Sequence, residues 1–429
     1  MKVVISAGGK GTRISSMFQD IPKPMIKIEG KPVLEHELIF LREQGFCDII
    51  VTIGHLKDCI RDYFGNGNKW GLNITYFEEE YPLGTAGALY YLKEQLKEDF
   101  FLLNGDAIMN VDLKRMLKFH KEHHAKVTLF THPNSHPYDS ALIVADYETH
   151  QVKEWLHKED ERTIYKNQVN AGVHIIHPSV IENMKEGKCD LDREILKPLI
   201  KTGTVYAYES PEYVKDMGTP ERYESVRKDF ATGKVRSRNL LNSQKAIFLD
   251  RDGTLNVYKD FITSYQDIKL IDGVAEAVRL INQSEYLAIV ITNQPVIARG
   301  ECDLNDLEMI HNKLETELGK TGAYLDDIFF CPHHPDKGFV GERLEYKISC
   351  DCRKPAPGLL IRAAEKYHID LSQSYMVGDS VRDIEAGLNA GCKSIYIGKE
   401  NFNLEYEQYS SLLEFVRDKL QIYGKDKEV

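Results

Sequence analysis

The sequence predicts an α/β protein of two domains, each a mostly parallel sheet with helices on both faces. Three observations lead there. Short apolar runs that read as buried strands alternate with stretches of helical periodicity between Val3 and Leu103. The same kind of pattern starts afresh at Ala246, deep inside a chain of 429 residues. The strand runs end in glycine, threonine or acidic residues, at the edge where open parallel sheets carry their chemistry. A prior of roughly 150 residues per domain allows two or three domains. The expected boundaries are 1–230 for the first domain, 231–243 for a connector and 244–429 for the second.

Composition narrows the class. Hydrophobic residues make up 42% and charged residues 28%, as in an ordinary globular protein. A formal net charge of −11 argues against a nucleic-acid partner, which needs a basic face, but leaves room for small anionic substrates in a local positive pocket. No apolar run is long enough to span a bilayer. Met1-Lys2 leads straight into Val3-Val4-Ile5 and a Gly-rich turn, without a signal-peptide pattern, so a cytoplasmic location is expected. In that compartment the eight cysteines are expected as free thiols or metal ligands rather than disulfides.

Val3-Val4-Ile5 is the first expected strand, and Ala7-Gly8-Gly9-Lys10-Gly11-Thr12-Arg13 follows it. Glycines allow a tight turn that aims several N–H groups at one anion, and Arg13 adds a fixed cation. The spacing is neither the dinucleotide fingerprint nor the P-loop. Lys23 stands between Pro22 and Pro24, a stiff setting that suits a phosphate contact. Then come a helix over Leu34–Gln44, a strand over Ile49–Ile53, a helix over Lys57–Phe64 and a strand over Ile74–Phe77. Leu83-Gly84-Thr85-Ala86-Gly87-Ala88 opens a further helix, and the strand Phe100–Leu103 ends in Asn104-Gly105-Asp106.

Taken with Asn170-Ala171-Gly172 and Asp216-Met217-Gly218-Thr219-Pro220, these motifs in this order resemble the sugar-1-phosphate nucleotidyltransferases over residues 1 to about 230. That family has a Rossmann-like domain, joins a nucleoside triphosphate to a sugar 1-phosphate and releases pyrophosphate. Both substrates are anionic, so catalysis is chiefly neutralisation and positioning. The resemblance implies that Ala7, Gly8, Gly9, Gly11, Thr12 and Arg13 hold the triphosphate, and that Lys23 sits by the transferring phosphate. Gly84, Thr85 and Gly87 would line the base and sugar pocket, and Asp106 and Asp216 would hold Mg²⁺. Asn170 and Gly172 would touch the sugar and Lys158 its phosphate, although Lys158 lies in a charged stretch that also reads as solvated surface. Where relatives often carry Glu-x-Asp, this chain has Asp192-Arg193-Glu194, which receives no role. His120, His123, His124, His132 and His136 are expected on solvated surface rather than on a metal.

The stretch Ala231–Asn239 is small, polar and basic and is expected as a connector without a core. The strand Ala246–Leu249 then ends in Asp250-Arg251-Asp252-Gly253-Thr254. One carboxylate can attack phosphorus and the second can protonate the leaving oxygen. Alone, two acids one residue apart are equally consistent with a surface turn. Downstream, Ala288–Ile291 ends in Thr292-Asn293-Gln294, Arg353-Lys354-Pro355 supplies cations, and Tyr375-Met376-Val377 ends in Gly378-Asp379. The four pieces in order resemble the haloacid dehalogenase superfamily of phosphatases. The resemblance implies Asp250 as nucleophile, Asp252 as acid and then base, and Thr292 and Lys354 as stabilisers of the phosphoryl group. Asp379, Asp250 and the backbone carbonyl of Asp252 would bind Mg²⁺, with Asp383 supporting from behind or capping the next helix.

Cys331, His333, Cys350 and Cys352 offer three thiolates and an imidazole, a closed tetrahedral set for structural Zn²⁺ beside Arg353 and Lys354; His334 is not expected as a ligand. With Asp-Arg-Asp-Gly-Thr-Leu-Asn and Ile297-Ala298-Arg299-Gly300, this half resembles the D-glycero-D-manno-heptose 1,7-bisphosphate phosphatases, ahead of the histidinol-phosphate phosphatases that share the zinc loop. Arg353 would then recognise substrate phosphate, and Asn256 and Asn293 would lie at the substrate. Pro295-Val296 departs from the usual Ser-Gly and puts fine substrate placement in doubt. A terminal helix is expected over Tyr406–Leu420.

Together the two resemblances imply a bifunctional enzyme. The phosphatase would yield heptose 1-phosphate and the transferase would activate it, with GTP and the α anomer favoured because the pathway to GDP-heptose uses these steps consecutively. The alternatives are a mannose or glucose 1-phosphate transferase joined to a histidinol-phosphate-type phosphatase, a half reduced to a binding module, or a polynucleotide 3′-phosphatase. The acidic charge and intact acid pair weigh against the last two.

Overall fold

The computed structural model describes residues 1–9, 14, 17–18 and 21–421. They divide into two compact units. The first comprises Met1–His132, Ala141–His157 and Val169–Asn239; the second comprises Pro133–Ser140, Lys158–Gln168 and the described part of Leu240–Val429.

In the first unit, strand β1 (Val3–Ser6) lies between β2 (Asp48–Ile53) and β4 (Phe100–Asn104), and β3 (Asn73–Glu78) flanks β2, all parallel. The run Val3-Val4-Ile5 is apolar throughout because both faces are covered: Val3 and Ile5 enter one core and Val4 the other. The sheet extends past β4 in a way the sequence reading does not describe. Strand β9 (Val169–Ile176) runs antiparallel to β4, and β6 (Val127–His132), β7 (Leu142–Ala145), β8 (Val152–Leu156) and β10 (Val205–Glu209) complete the sheet. A separate antiparallel ribbon pairs β5 (Ala107–Asn110) with β11 (Tyr213–Asp216), placing Asp216 opposite Ala107.

The expected connector is in fact packed structure. A helix runs Pro220–Ala231, a helical turn covers Lys234–Ser237, and Val235 is buried with Ile108, Met217 and Val226. The Asn239 amide donates to Asn110 Oδ1 at 2.7 Å. One apolar residue per turn and buried amide partners suffice to hold this segment, which is why its polar composition misleads. Two segments expected in the first domain, Pro133–Ser140 and Lys158–Gln168, fall in the second unit. There the Tyr165 and Asn167 backbone N–H groups donate to Thr316 Oγ1 (3.0 Å) and Glu315 Oε2 (2.6 Å) of the helix Leu304–Gly319.

The main sheet of the second unit is all parallel. Its order is β14 (Asp327–Cys331), β13 (Tyr286–Asn293), β12 (Lys245–Leu249), β15 (Tyr375–Gly378), β16 (Lys393–Ile397), β17 (Glu407–Tyr409). The order reverses direction at β12, so a crevice opens at the carboxyl ends of β12, β13 and β15. Ile247 and Leu249 enter one core and Ala246 and Phe248 the other. The terminal helix is shorter than expected, Leu412–Lys419, because Glu407–Tyr409 joins the sheet and Ser411 caps the helix by accepting from the Glu414 N–H. Among the described residues no helix is long and apolar enough to cross a membrane.

His120 is not on solvated surface: it is 2% exposed and its Nδ1 lies 2.8 Å from Thr128 Oγ1. His174 is likewise buried. Its Nε2 bonds Asn170 Oδ1 at 3.0 Å, its Nδ1 has no partner, and burial pushes its pKa down to about 4. An unfolded histidine takes up a proton near pH 6.5, so the stability this neutral ring contributes is complete above that pH and falls as the pH drops toward about 4. The difference in unfolding free energy between the wild type and His174→Gln is therefore expected to shrink by about 1 kcal/mol between pH 6 and pH 5. Denaturant titrations at the two pH values measure it, and a pH-independent difference contradicts a neutral ring.

Candidate functional site

The crevice of the second unit encloses a cavity of about 380 Å³. Asp250 follows β12, Thr292 and Asn293 end β13, and Asp379 follows β15, so the expected chemistry-bearing residues meet there. The Lys354 ammonium, 3% exposed, reaches Asp250 Oδ1 (2.7 Å), Asp383 Oδ1 (2.6 Å) and the Ile291 carbonyl (2.8 Å). Burial pushes the Asp250 carboxyl up to about 7 against the pull of Lys354. Burial and the neighbouring Asp383 raise Asp379 to about 6. Gly253, at φ +85°, is required by space as well as by backbone: a Cβ would stand 1.9 Å from Asp379 Oδ2.

Asp252 points elsewhere. It accepts from Arg251 Nη2 (2.8 Å), Asn256 Nδ2 (3.0 Å) and Gln294 Nε2 (3.0 Å). Burial alone would raise its carboxyl, but the Arg251 guanidinium and these hydrogen bonds outweigh it and hold the acid below its ordinary range. Arg251 is fully buried and also donates to Gln294 Oε1, and Gln294 donates to Thr292 Oγ1. Sequence reasoning passed over Arg251 and Gln294; the position of Arg251 between the two acids was the available signal. Asn256 stands beside Asp252 as expected. The Asn293 amide is occupied by the Lys354 backbone, accepting from its N–H (3.0 Å) and donating to its carbonyl (3.1 Å), so it positions the lysine loop. Pro295 sits at the start of the helical turn Val296–Arg299, where a missing N–H costs little, and Val296 is buried.

Among the described residues, two clusters of three or more acidic, cysteine or histidine side chains could hold a metal ion. Asp250, Asp379 and Asp383 bring carboxylate oxygens within 4.8 Å of one another. Asp383 also forms the capping box of the helix Val381–Ala390 with Ser380. The second group is Cys331, His333, Cys350 and Cys352, with sulfur–sulfur distances of 3.2 to 3.6 Å and His333 Nδ1 3.2 Å from Cys352 Sγ. Tetrahedral Zn–S bonds of about 2.3 Å call for sulfurs about 3.8 Å apart, so the donor set fits. Arg353, next to Cys352, donates to the His333 carbonyl at 3.2 Å.

In the first unit, Lys23 Nζ lies 2.7 Å from Asp106 Oδ2. The Met217 N–H donates to the Asp106 carbonyl, and Asp216 accepts from Arg222 (3.0 Å) and from the Gly218 N–H (2.7 Å). The ribbon thus brings Asp106 and Asp216 to one end, each with a cation against it. Glu37, 2% exposed and without a hydrogen-bond partner, is held well above the carboxylate range by burial and by Asp106. An acid among the apolar residues of the helix Val33–Gln44, where Glu35 is buried as well, was its only trace in the sequence. Gly172 packs on Asn104, where a Cβ would come within 2.1 Å of Nδ2. Asn170 Oδ1 is engaged by His174, and Ala7, Gly8 and Gly9 follow β1 with Gly8 against the Glu79 carboxylate. Gly84 and Gly87 approach backbone rather than open space: Cβ atoms there would stand 2.5 Å from the Cys189 carbonyl oxygen and 2.4 Å from that of Gly187. Thr85 Oγ1 accepts from the Leu191 N–H. Lys158 is exposed and falls in the second unit. Gly11, Thr12 and Arg13 lie outside the described residues.

Two family profiles match the chain. The nucleotidyl transferase family profile covers residues 2–233, and a HAD-hydrolase-like profile covers residues 351–421. A D-glycero-β-D-manno-heptose-1,7-bisphosphate 7-phosphatase of Photorhabdus laumondii is 38% identical over 170 residues, 39% of this chain and 88% of that protein. A mannose-1-phosphate guanyltransferase β-A of Xenopus laevis is 30% identical over 237 residues, 54% of this chain and 63% of that protein. Among solved structures, HddC from Yersinia pseudotuberculosis is 28% identical, covers 53% of this chain and 99% of that chain, and superposes with a TM-score of 0.47.

Proposed function

We propose, for a chain that belongs to the nucleotidyl transferase family through residues 2–233 and to the D-glycero-D-manno-heptose-1,7-bisphosphate 7-phosphatases through its second half, that the two halves catalyse consecutive steps toward a nucleotide-activated heptose. The chain is a bifunctional enzyme, with a nucleotidyltransferase domain and a phosphatase domain. The phosphatase removes the carbon-7 phosphate of heptose 1,7-bisphosphate. The transferase then joins the heptose 1-phosphate to the nucleotidyl group of a triphosphate, with release of pyrophosphate. Likeness to a mannose-1-phosphate guanyltransferase supports GTP as the donor.

One observation carries the phosphatase reading: a carboxylate paired to a buried lysine at the carboxyl end of the central strand, with a second carboxylate held apart by Arg251. Asp250 attacks phosphorus and the sugar C7–O–P bond breaks. Asp252 gives the leaving oxygen its proton; a phosphate dianion beside it raises its proton affinity against the pull of Arg251. Asp252 then takes a proton from water as water attacks the aspartyl phosphate, releasing inorganic phosphate and restoring Asp250. Lys354 and Thr292 carry the phosphoryl charge. Asp250 and Asp379, with Asp383 adjacent, are the residues that would hold Mg²⁺, whose contribution is charge neutralisation. Zn²⁺ in the Cys331, His333, Cys350 and Cys352 set would fix the loop that presents Arg353 and Lys354. In the first unit Asp106 and Asp216 would hold a second Mg²⁺, and Lys23 and Arg13 would neutralise the triphosphate.

The test is incubation of the purified enzyme with Mg²⁺, the α or the β anomer of heptose 1,7-bisphosphate, and each of four nucleoside triphosphates in turn. GDP-heptose formed with one phosphate and one pyrophosphate per sugar is the expected result. Coupling to guanylyl transfer points to the α anomer, whereas the phosphatase relatives are named for the β anomer, and the two arms decide between them. Phosphate without nucleotide heptose overturns the transferase assignment. Release of neither product overturns both.

A further inference from the structure

Strand β9, which carries Asn170 and Gly172, does not run evenly along β6. Asn170 stands opposite Thr131 and His174 opposite Leu129, so four steps on one strand meet two on the other. The residues between them form a bulge, and Gly172 within it has φ +73°. In an even strand, residues four apart stand about 13 Å from each other and cannot touch. Here the bulge folds Asn170 back onto His174, whose Nε2 lies 3.0 Å from Asn170 Oδ1.

The direction of this bond follows from its neighbour. The Gly172 N–H also points at Asn170 Oδ1, 3.4 Å away, and an N–H can only donate. Oδ1 is therefore the carbonyl oxygen of the amide, and His174 meets it with an Nε2–H. The ring then carries no proton on Nδ1, the atom left without a partner, and burial keeps the ring neutral. Among the described residues both bonds of the Asn170 side chain fall on its oxygen, so its NH2 group is turned the other way. Packing alone does not select this arrangement. His174 is 2% exposed, and Val173, Ile175 and Ile176 beside it are fully buried. A leucine there would bury apolar surface without an unpaired nitrogen.

We propose that His174 is a positioning residue of the transferase: across the bulge at Gly172 it fixes the Asn170 amide with its NH2 group toward the sugar, where it donates to a hydroxyl oxygen. The buried ring acts only through Asn170. With an apolar residue in its place the amide turns freely and offers its oxygen as often as its nitrogen. This rests on the transferase reading above, in which Asn170 meets the sugar, and deepens it: the contact recognises an oxygen acceptor, and a neutral histidine sets its orientation.

The experiment measures pyrophosphate release from heptose 1-phosphate and GTP by the full chain, each substrate varied in turn. The variants are His174→Leu, His174→Gln, His174→Asn, Asn170→Ala, and Asn170→Ala combined with His174→Leu. His174→Leu is expected to raise KM for heptose 1-phosphate by about 3–10-fold, the contribution of one hydrogen bond, with KM for GTP within about 2-fold of the wild type. Glutamine places its amide nitrogen where Nε2 stands and is expected to recover most of the loss, whereas asparagine, one carbon shorter, is not. Because both keep a polar side chain in the same place, their comparison holds even where leucine disturbs folding. In the Asn170→Ala background, His174→Leu is expected to raise KM no further. An additive effect in that background, or one KM shared by the glutamine, asparagine and leucine variants, overturns the positioning role and leaves the transferase reading standing. A wild type that releases no pyrophosphate from heptose 1-phosphate overturns the transferase reading, and the positioning role with it.

Discussion

Asp250→Asn is expected to lower phosphate release from the sugar bisphosphate by about 10⁴-fold or more, the order seen when a nucleophile is removed, while pyrophosphate release by the transferase half is unchanged when heptose 1-phosphate is supplied directly. Asparagine has nearly the shape of aspartate, so the change removes nucleophilicity with little change in packing. It also leaves the buried Lys354 ammonium paired, because Asp383 remains 2.6 Å away. The variant should therefore fold and unfold close to the wild type. Lys354→Met provides the contrast. It removes the one cation between Asp250 and Asp383 and leaves two buried acids to repel each other, a loss of about 3–5 kcal/mol in addition to activity. Steady-state phosphate release and thermal unfolding of the two variants separate chemistry from stability. Residual activity of Asp250→Asn above a hundredth of wild type would remove Asp250 from the nucleophile's role.

That these acids could be found in the sequence at all follows from how parallel sheets are buried. Val3–Ile5 and Ala246–Leu249 are covered on both faces, so they stand out as continuous apolar runs, and whatever follows them must sit at the sheet's carboxyl edge. Asp250, Asp379 and Asp106 were legible on that ground. What stayed hidden depends on contacts between residues far apart in the chain. Arg299 entered the sequence analysis only as one letter of a family motif, and nothing there shows that Phe261 and Phe339 close on it. Glu37 reads as a misplaced charge until Asp106 is brought near. Gly84 and Gly87 suggested an approach to ligand, and the sequence did not show that their own chain also comes close, at Gly187 and Cys189. The segment 231–239 failed for the opposite reason: its composition is that of a connector, but Val235 finds a core prepared by Ile108 and Val226. Local composition reports what a segment can do alone, and burial is conferred by segments elsewhere.

Lys23→Met is expected to lower pyrophosphate formation by about 10²–10³-fold, chiefly in kcat, with phosphate release from the bisphosphate unaffected. The lysine is held for this task. It opens the short helical turn Lys23–Met25, Pro22 and Pro24 fix the backbone on either side, and Pro24 is buried. Its side chain is 13% exposed and its ammonium lies 2.7 Å from Asp106, at the end of the sheet where Asp216 also arrives. With the triphosphate bound, a cation fixed there faces negative charge that grows on the phosphate oxygens as the sugar phosphate approaches. The interaction strengthens in the transition state, so its loss appears in kcat rather than in KM. Asp106 is partly exposed, at 32% of its side chain, so losing its partner costs little stability and the variant should stay folded. Lys23→Arg distinguishes charge from geometry: the guanidinium keeps the charge but cannot place it at the same point, and partial recovery is expected. Initial-rate measurements of pyrophosphate over a GTP series, run alongside phosphate release in the same preparation, give both constants. A rise in KM with kcat intact would mean that Lys23 binds the ground state only, and would remove it from the neutralising role.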